Sequence, residues 1–417
     1  MRWLIGGGPS EAAGPSKQLE LMINITEDEL RLAKSFGEHS SGSWPSAGGL
    51  YYWSAKLGGQ TYGPMISWFT ACLNLIGEIG AISSSAYALS LLIFSCISLG
   101  TDGADASQWQ IILLSIAIVC SWGFLNSFDD VVLARMMELS VAVQILGPIA
   151  ITAILLAFAP YNNFAEFIFT KFQNYTGQDS LAYAVMLGLV LPAWNFIGYD
   201  PSTHISEETV NAYRDVPKSI ICAVLVTSVV GLILILGMAA TVQHDNLIEQ
   251  NPQRAITPLL VYYDIVNHMT YAITLAAIVG LAIYFSGLAA ITANSRMMFA
   301  FARDDGFGPR FSFFLRSMHP KTRLPLRNVW FSVALCTILT AIGLGLPEGA
   351  TQGVLTVATL GLMAAYALPT FCKLVLGREF FKRGELTLGL FSTSLGYVAV
   401  LWVCTILILL CFPFAFP

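Results

Sequence analysis

The stretch that decides the fold is Leu191-Pro-Ala-Trp-Asn-Phe-Ile-Gly-Tyr-Asp200-Pro-Ser-Thr-His-Ile-Ser-Glu-Glu208. It continues an apolar run that starts at Leu181, and then Gly198, Asp200 and Pro201 interrupt the helical pattern. A helix broken inside a bilayer is tolerated only where protein or a water-filled cavity satisfies its free backbone groups. Transporters use such breaks as substrate sites. The stretch therefore predicts a membrane transporter, the alternative being that Gly198 and Pro201 only kink a packed helix.

Composition also indicates a membrane protein. Hydrophobic residues make up 55% of the 417 and charged residues only 11%, against about 25% charged in an average soluble chain. Mean hydropathy is +0.67. The eight cysteines all lie in apolar stretches without a close pair, so we interpret them as small buried side chains rather than disulfides or metal ligands. We expect an integral membrane protein.

Nine segments are long and apolar enough to be candidate spans, since a crossing needs about 20 mainly apolar residues. They are residues 65–98, 109–126, 131–158, 181–200, 218–242, 270–301, 328–346, 352–376 and 393–415. The first and sixth are too long for a perpendicular crossing and must tilt or extend beyond the bilayer. We expect a cytosolic tail over 1–42 and a transmembrane domain over 43–417.

The distribution of Lys and Arg predicts the orientation. With the residues before the first span inside, fourteen basic residues fall in inner loops, and only Lys171 and Arg254 fall in outer ones. Basic residues concentrate on the cytoplasmic side of membrane proteins. The sequence therefore predicts the N-terminus inside and the C-terminus outside.

Several motifs together resemble those of the amino acid/choline permeases, which belong to the amino acid–polyamine–organocation superfamily. The motifs are Phe196-Ile-Gly-Tyr-Asp200 with His204-Ile-Ser-Glu-Glu-Thr209, Pro45-Ser-Ala-Gly-Gly-Leu-Tyr-Tyr-Trp53, Leu73-Asn-Leu-Ile-Gly77, and Phe301-Ala-Arg-Asp304 with His319-Pro320. The resemblance covers about residues 24 to 415. It implies an all-α inverted-repeat bundle, in which the two overlong spans would be the corresponding third and eighth helices of the repeats.

The chain departs from the family pattern near both ends. Residues 25–33 resemble the tail before the family's first helix, residues 38–44 resemble the end of its second, and nothing apolar lies between them. We therefore expect an incomplete bundle that lacks helices one, two and twelve. Because the first helix of the family supplies part of the substrate site, the alternative function is a transport-inactive product that binds a partner or senses a ligand.

The broken span supplies most of the predicted substrate site. Its half-helix ends present oriented backbone groups that suit the charged ends of a zwitterion or a cation. Trp194 is placed as an aromatic gate by the resemblance, and its ring suits an ammonium group by cation–π attraction. The other residues predicted to line this part of the site are Asn195, Phe196, Ile197 and Gly198.

Polar residues on other predicted spans extend the site. Glu78 lies in mid-span, where insertion of an Asp costs about 2.5–3.5 kcal/mol, and Asn74 lies on the same helical face. Glu78 is either a proton-coupling group or a neutral side chain bonded to a neighbouring helix. Tyr284 and Ser286 are expected to complete the substrate pocket. Asp200, His204 and Glu207 are interpreted as coupling or gate residues at the inner end.

Other chemistry finds no support in the sequence. It contains no Gly-x-x-x-x-Gly-Lys loop for ATP and no Gly-x-Ser-x-Gly hydrolase motif, and we expect no cofactor, metal, nucleic acid or enzymatic activity. The expected function is secondary transport of amino acids, amines derived from them (such as 4-aminobutyrate) or choline, by alternating access and driven by protons. The expected location is the plasma membrane.

Overall fold

The computed structural model describes residues 31, 34, 46–101, 106–128, 130–170, 180–244, 257–320, 322–344, 349–377, 389 and 391–412. Apart from Arg31 and Lys34, the predicted cytosolic tail over 1–42 lies outside these residues. The described residues form helices, turns and irregular segments, with no strand among them. The prediction of an all-α membrane protein is confirmed.

Besides the helical residues Arg31 and Lys34, fifteen helices have both ends within the described residues. In chain order they are α1 Leu50–Leu57, α2 Gly59–Gly100, α3 Gln108–Leu125, α4 Asp130–Phe158, α5 Ala165–Thr170, α6 Leu181–Gly188, α7 Val190–Asn195, α8 Pro201–His204, α9 Ala212–Thr241, α10 Thr257–Val266, α11 Met269–Arg303, α12 Pro309–Leu315, α13 Leu326–Leu344, α14 Gly349–Val375 and α15 Phe391–Leu409.

The two longest helices are α2, with 42 residues, and α11, with 35. At about 1.5 Å per residue each is longer than the ~30 Å hydrocarbon core. Both therefore tilt or project beyond the bilayer, and they pack against each other.

Seven of the described helices are long and apolar enough to cross a membrane: α2, α3, α4, α9, α11, α14 and α15. Two shorter apolar helical stretches, Val185–Asn195 and Leu326–Ile342, lie in the other two predicted spans. The first is short because the helix ends at Asn195, where the predicted break begins. This chain is an integral membrane protein.

A glycine contact brings α2 and α14 unusually close. A Cβ on Gly77 would lie 2.7 Å from the backbone nitrogen of Leu362, and one on Gly361 would lie 2.8 Å from the Cα of Gly77. Ala358 faces Gly80 one turn further on. Small residues are what allow helix backbones to approach closely in membranes. This crossing places the polar face of α2 against α14 and the broken span.

Two apolar clusters flank this crossing. One joins α1, the broken span, α14 and α15, and it contains Trp53 and Tyr366. The other joins α2, α3, α11 and α13 around Trp122. Many large apolar side chains of α4 and α9 are exposed instead, as expected for helices that face lipid.

Contacts join the segments at each predicted end of the bundle. At one end, Nε1 of Trp68, near the start of α2, donates to the carbonyl of Gly306 in a predicted inner loop at 3.1 Å. At the other end, Asn163 Nδ2 donates to the carbonyl of Val242 at 2.7 Å, and His244 pairs with Asp264 at 3.0 Å. This arrangement agrees with the alternation of loops, while the side that faces the cytosol stays a prediction of the charge distribution.

Candidate functional site

The membrane helix formed by α6 and α7 ends at Asn195, and the next four residues after the turn at Phe196 are irregular. Gly198 has φ of +84°, a conformation that side chains other than glycine rarely adopt. Pro201 then begins α8, at the first helical position where a missing N–H costs nothing. Phe196 and Tyr199 are buried in the apolar cluster around Trp53 and hold the irregular segment in place.

Asp200 is fully buried at the end of this segment, and its carboxyl group makes three polar contacts. The Tyr366 hydroxyl donates to its Oδ1 at 2.6 Å, and Asn74 Nδ2 donates to its Oδ2 at 3.0 Å. His204 Nε2 lies 3.2 Å from Oδ2. A carboxylate that accepts from three donors is satisfied in its ionised form. Asp200 therefore joins α2, α8 and α14 at the break.

His204 connects Asp200 to the chain before α1. Its Nδ1 lies 2.9 Å from the carbonyl oxygen of Ala47. Because a carbonyl can only accept, Nδ1 carries a hydrogen and donates it. Nε2 lies 3.2 Å from Oδ2 of Asp200, so the ring links the carboxyl of Asp200 to the backbone at Ala47.

Tyr366 bridges the irregular segment and Asp200. Its hydroxyl accepts from the backbone N–H of Gly198 at 2.9 Å while it donates to Asp200. Its ring packs on Tyr199, with centroids 4.6 Å apart. Sequence reasoning missed this residue, since a single tyrosine in an apolar span carries no signal of its partners.

Glu78 is 3% exposed and lies one turn beyond Asn74 on α2. Its Oε1 has no hydrogen-bond partner among the described residues, and neither does Oδ1 of Asn74. Glu78 is close enough to Asp200 for their carboxyls to interact electrostatically. The proton-coupling role of Glu78 and the alternative of a neutral side chain bonded to a neighbouring helix both stay predictions.

Glu207 and Arg303 form an ion pair at the end of the bundle that the charge distribution predicts to be the inner one. Two guanidinium nitrogens donate to the Glu207 carboxylate at 2.7 and 2.8 Å, and the N–H of Ala47 donates to Oε1 at 3.1 Å. The bonds from Arg303 hold the pKa of Glu207 below its ordinary value. We call the contacts of Ala47, His204, Glu207 and Arg303 the inner latch.

Two further contacts flank the inner latch. Arg296, on α11, donates to Glu208 at 2.9 Å, and the Tyr51 hydroxyl donates to Asp304 at 2.9 Å. Burial, with the nearby Asp304 charge, raises the pKa of Tyr51 above its ordinary value. Sequence reasoning included Arg303 in the motif Phe301-Ala-Arg-Asp304 and among the inner-loop charges, but nothing in a sequence pairs it with a glutamate 96 positions away.

The remaining predicted residues lie outside the described hydrogen bonds around Asp200. Trp194 is 37% exposed, and Asn195 is exposed with its amide facing Gly231 of α9. Ile197 packs on the cluster around Trp53. Tyr284 pairs with the hydroxyl of Ser121 on α3 at 2.9 Å, and Ser286 is exposed, so neither has a described contact with Asp200.

Comparison with known proteins agrees with the resemblance. The family model described as "Amino acid permease" matches residues 33–417. The amino-acid permease BAT1 of Arabidopsis thaliana is 32% identical over 390 residues, covering 90% of this chain and 74% of the relative. Its homolog from Oryza sativa subsp. japonica is 34% identical over 391 residues, covering 90% and 74%. An uncharacterized amino-acid permease of Schizosaccharomyces pombe is 27% identical over 380 residues, covering 90% and 69%.

The match covers most of the chain, including α2, the break at Asn195–Pro201 and the inner latch. The relatives are transporters rather than enzymes. The chain belongs to the amino acid permease family.

Proposed function

We propose that this chain moves an amino acid, a 4-aminobutyrate-like amine or choline through the plasma membrane by alternating access, as a secondary transporter driven by a proton gradient. The observation that carries the proposal is the irregular segment between Asn195 and Pro201, with the fully buried Asp200 at its end. Broken membrane helices of this kind supply substrate and ion sites near the middle of transporters.

The end of α7 suits an ammonium group. The last four carbonyls of a helix have no partner within the helix, and the helix dipole places partial negative charge there. Trp194 lies beside this end, with 37% of its surface exposed. A cation over its ring would gain about 0.5–2 kcal/mol. All the proposed substrates carry an ammonium group, so this end favours them as a class.

The inner latch supports alternating access. Release of substrate to the cytosol requires Glu207 and Arg303 to part, together with Ala47 and His204, because these contacts join three chain segments across the inner end. Charged contacts that are only half-buried are worth little individually. They can therefore break and reform during a cycle without a large energetic cost.

Uptake of labelled substrates tests the proposal. The full chain would be expressed in cells that lack their own permeases, and labelled amino acids, 4-aminobutyrate and choline would be supplied with and without an inward proton gradient. We expect saturable uptake of at least one substrate that rises with the gradient. Absence of uptake for every substrate, with the protein folded at the cell surface, would favour the transport-inactive alternative.

A paired tryptophan experiment tests the site. Trp194→Ala should raise the KM for the transported substrate, whereas Trp330→Ala, which removes an exposed tryptophan from α13, should leave it unchanged. Equal changes in KM for the two substitutions would show that Trp194 is not part of the substrate site.

A further inference from the structure

The carboxyl of Asp200 and the ring of His204 are both hydrogen-bonded. The carboxylate already accepts from Tyr366, Asn74 and His204. The second ring nitrogen of His204 donates to Ala47. Each polar side-chain atom of this pair therefore has at least one hydrogen-bond partner.

Glu78 is in the opposite situation. It is almost fully buried, its Oε1 has no partner among the described residues, and the amide oxygen of Asn74 one turn earlier has none either. Residues four apart lie on the same face of a helix, about 5–6 Å between Cβ atoms. A carboxylate and an amide oxygen both accept and neither donates. The face of α2 at this level therefore lacks one donor.

A single added proton would supply the missing hydrogen-bond donor. On Glu78 it turns a carboxylate into an acid with an O–H donor, for which the free Asn74 oxygen is an acceptor within side-chain reach. It also removes a buried charge, which is strongly unfavourable without a partner, and ends the repulsion between Glu78 and Asp200. We propose that Glu78 is protonated in this conformation and is the group that takes up and releases the coupling proton.

The groups around Glu78 favour a proton over another positive partner. Three ionisable side chains interact electrostatically with Glu78: Asp200 from the irregular segment, Tyr366 from α14 and Cys336 from α13. Tyr199 and His204 lie around Asp200 in turn. His204 is the basic side chain of this set, and it already contacts Asp200. Bound Ca²⁺ and Mg²⁺ need about six or more oxygen ligands. The described residues contain no group of three His, Cys, Asp or Glu placed to hold a metal ion.

Loss of the proton from Glu78 would affect the contacts of the inner latch. An ionised Glu78 adds a second negative charge beside Asp200, whose contacts hold Gly198 through Tyr366 and Ala47 through His204. The protonation state of one side chain on α2 thereby acts on the broken span and on the inner latch together. The inference rests on the proposed proton-driven transport, and it names the residue that carries the proton.

Infrared spectroscopy of the purified full chain tests the proposal without a substrate. The wild type at pH 7 should show the carbonyl stretch of a protonated carboxylic acid, shifted in D₂O. The band should be absent in Glu78→Gln, a neutral isostere, and retained in Glu207→Gln, since Glu207 is ionised and paired. Asn74→Ala should move the band to higher frequency, because the acid loses its acceptor. A band unchanged in Glu78→Gln, or no band in the wild type, would overturn the proposal.

Two further measurements separate the alternatives. The wild-type band should be the same in NaCl and in choline chloride; a band that appears only without Na⁺ would assign the site to a metal cation instead. In proteoliposomes, Glu78→Gln should keep substrate exchange and lose the stimulation by an inward proton gradient, and stimulation equal to wild type would contradict the role. If no variant transports, the proposed function fails, while the infrared band still decides whether Glu78 holds a proton.

Discussion

The hydroxyl of Tyr366 donates to Oδ1 of Asp200 at 2.6 Å, and both side chains are fully buried. The same hydroxyl accepts from the backbone N–H of Gly198. One side chain of α14 thus satisfies a free backbone donor of the broken span and the carboxylate that ends it. A helix break in a membrane persists only with such partners.

Tyr366→Phe removes this bridge without changing the shape of the ring. The N–H of Gly198 and one oxygen of Asp200 would lose a partner, and a buried unsatisfied group costs about 1–3 kcal/mol. We expect a lower midpoint of thermal unfolding in detergent and a loss of uptake. Tyr397→Phe, at an exposed tyrosine of α15, is the matched control and should change neither. Equal behaviour of the two variants would show that the bridge does not hold the break.

Glu207→Gln weakens the inner latch in a pH-dependent way. Because the pKa of Glu207 is held below its ordinary value, its stabilising effect is present above the ordinary glutamate pKa and is lost as pH falls through the lowered one. The pair is half-exposed, so we expect a loss on the order of 1 kcal/mol near pH 7.

Unfolding of wild type and Glu207→Gln as a function of pH measures this effect. The difference in free energy of unfolding between the two proteins should become smaller as the pH is lowered. Glu138→Gln is the control, because Glu138 and Arg135 lie 3.8 Å apart with more than 70% of each side chain exposed. A difference between wild type and Glu207→Gln that stays constant over the acidic range would contradict the assignment.

Gly77→Ala should disrupt the crossing of α2 and α14. The added Cβ would lie 2.7 Å from backbone of the facing helix, which cannot move aside as a flexible side chain would. Overpacking of this kind costs typically about 1–3 kcal/mol. Gly100→Ala, at the end of the same helix with nothing within 4 Å, is the control. The midpoint of thermal unfolding in detergent should fall for Gly77→Ala only. An equal fall in both variants would count against the close crossing of α2 and α14.

Gly198→Ala tests the backbone of the break. No described atom lies within 4 Å of an added Cβ, so the substitution meets no clash, but φ is +84°. Holding another residue in such a region costs of order 1–3 kcal/mol. We expect reduced uptake with little loss of surface expression, measured against Gly188→Ala, which also meets nothing within 4 Å. Unchanged uptake in Gly198→Ala would show that the cycle does not need this conformation.

Much of the fold was predictable because its signals are local. The overlong segments around Glu78 and Tyr284 became the two longest helices, and the run from Leu181 ended as a helix at Asn195. The site was predictable only in part. Asn74 and Asp200 were placed on separate spans that the structure brings into contact, whereas the hydroxyl of Tyr284 pairs with Ser121 on α3.

The sequence by itself determined that this chain is helical, lies in a membrane and is broken near Gly198. Bilayer thickness and the need to pair every backbone group act on each segment separately, so composition and spacing reveal them. Only the tertiary structure decided which side chains stabilise the break. Tyr366, Asn74 and Ala47 lie 166, 126 and 157 positions from their partners Asp200 and His204. Such contacts depend on how closely helices cross, and the glycines of α2 and α14 show their role only once the two helices are packed together.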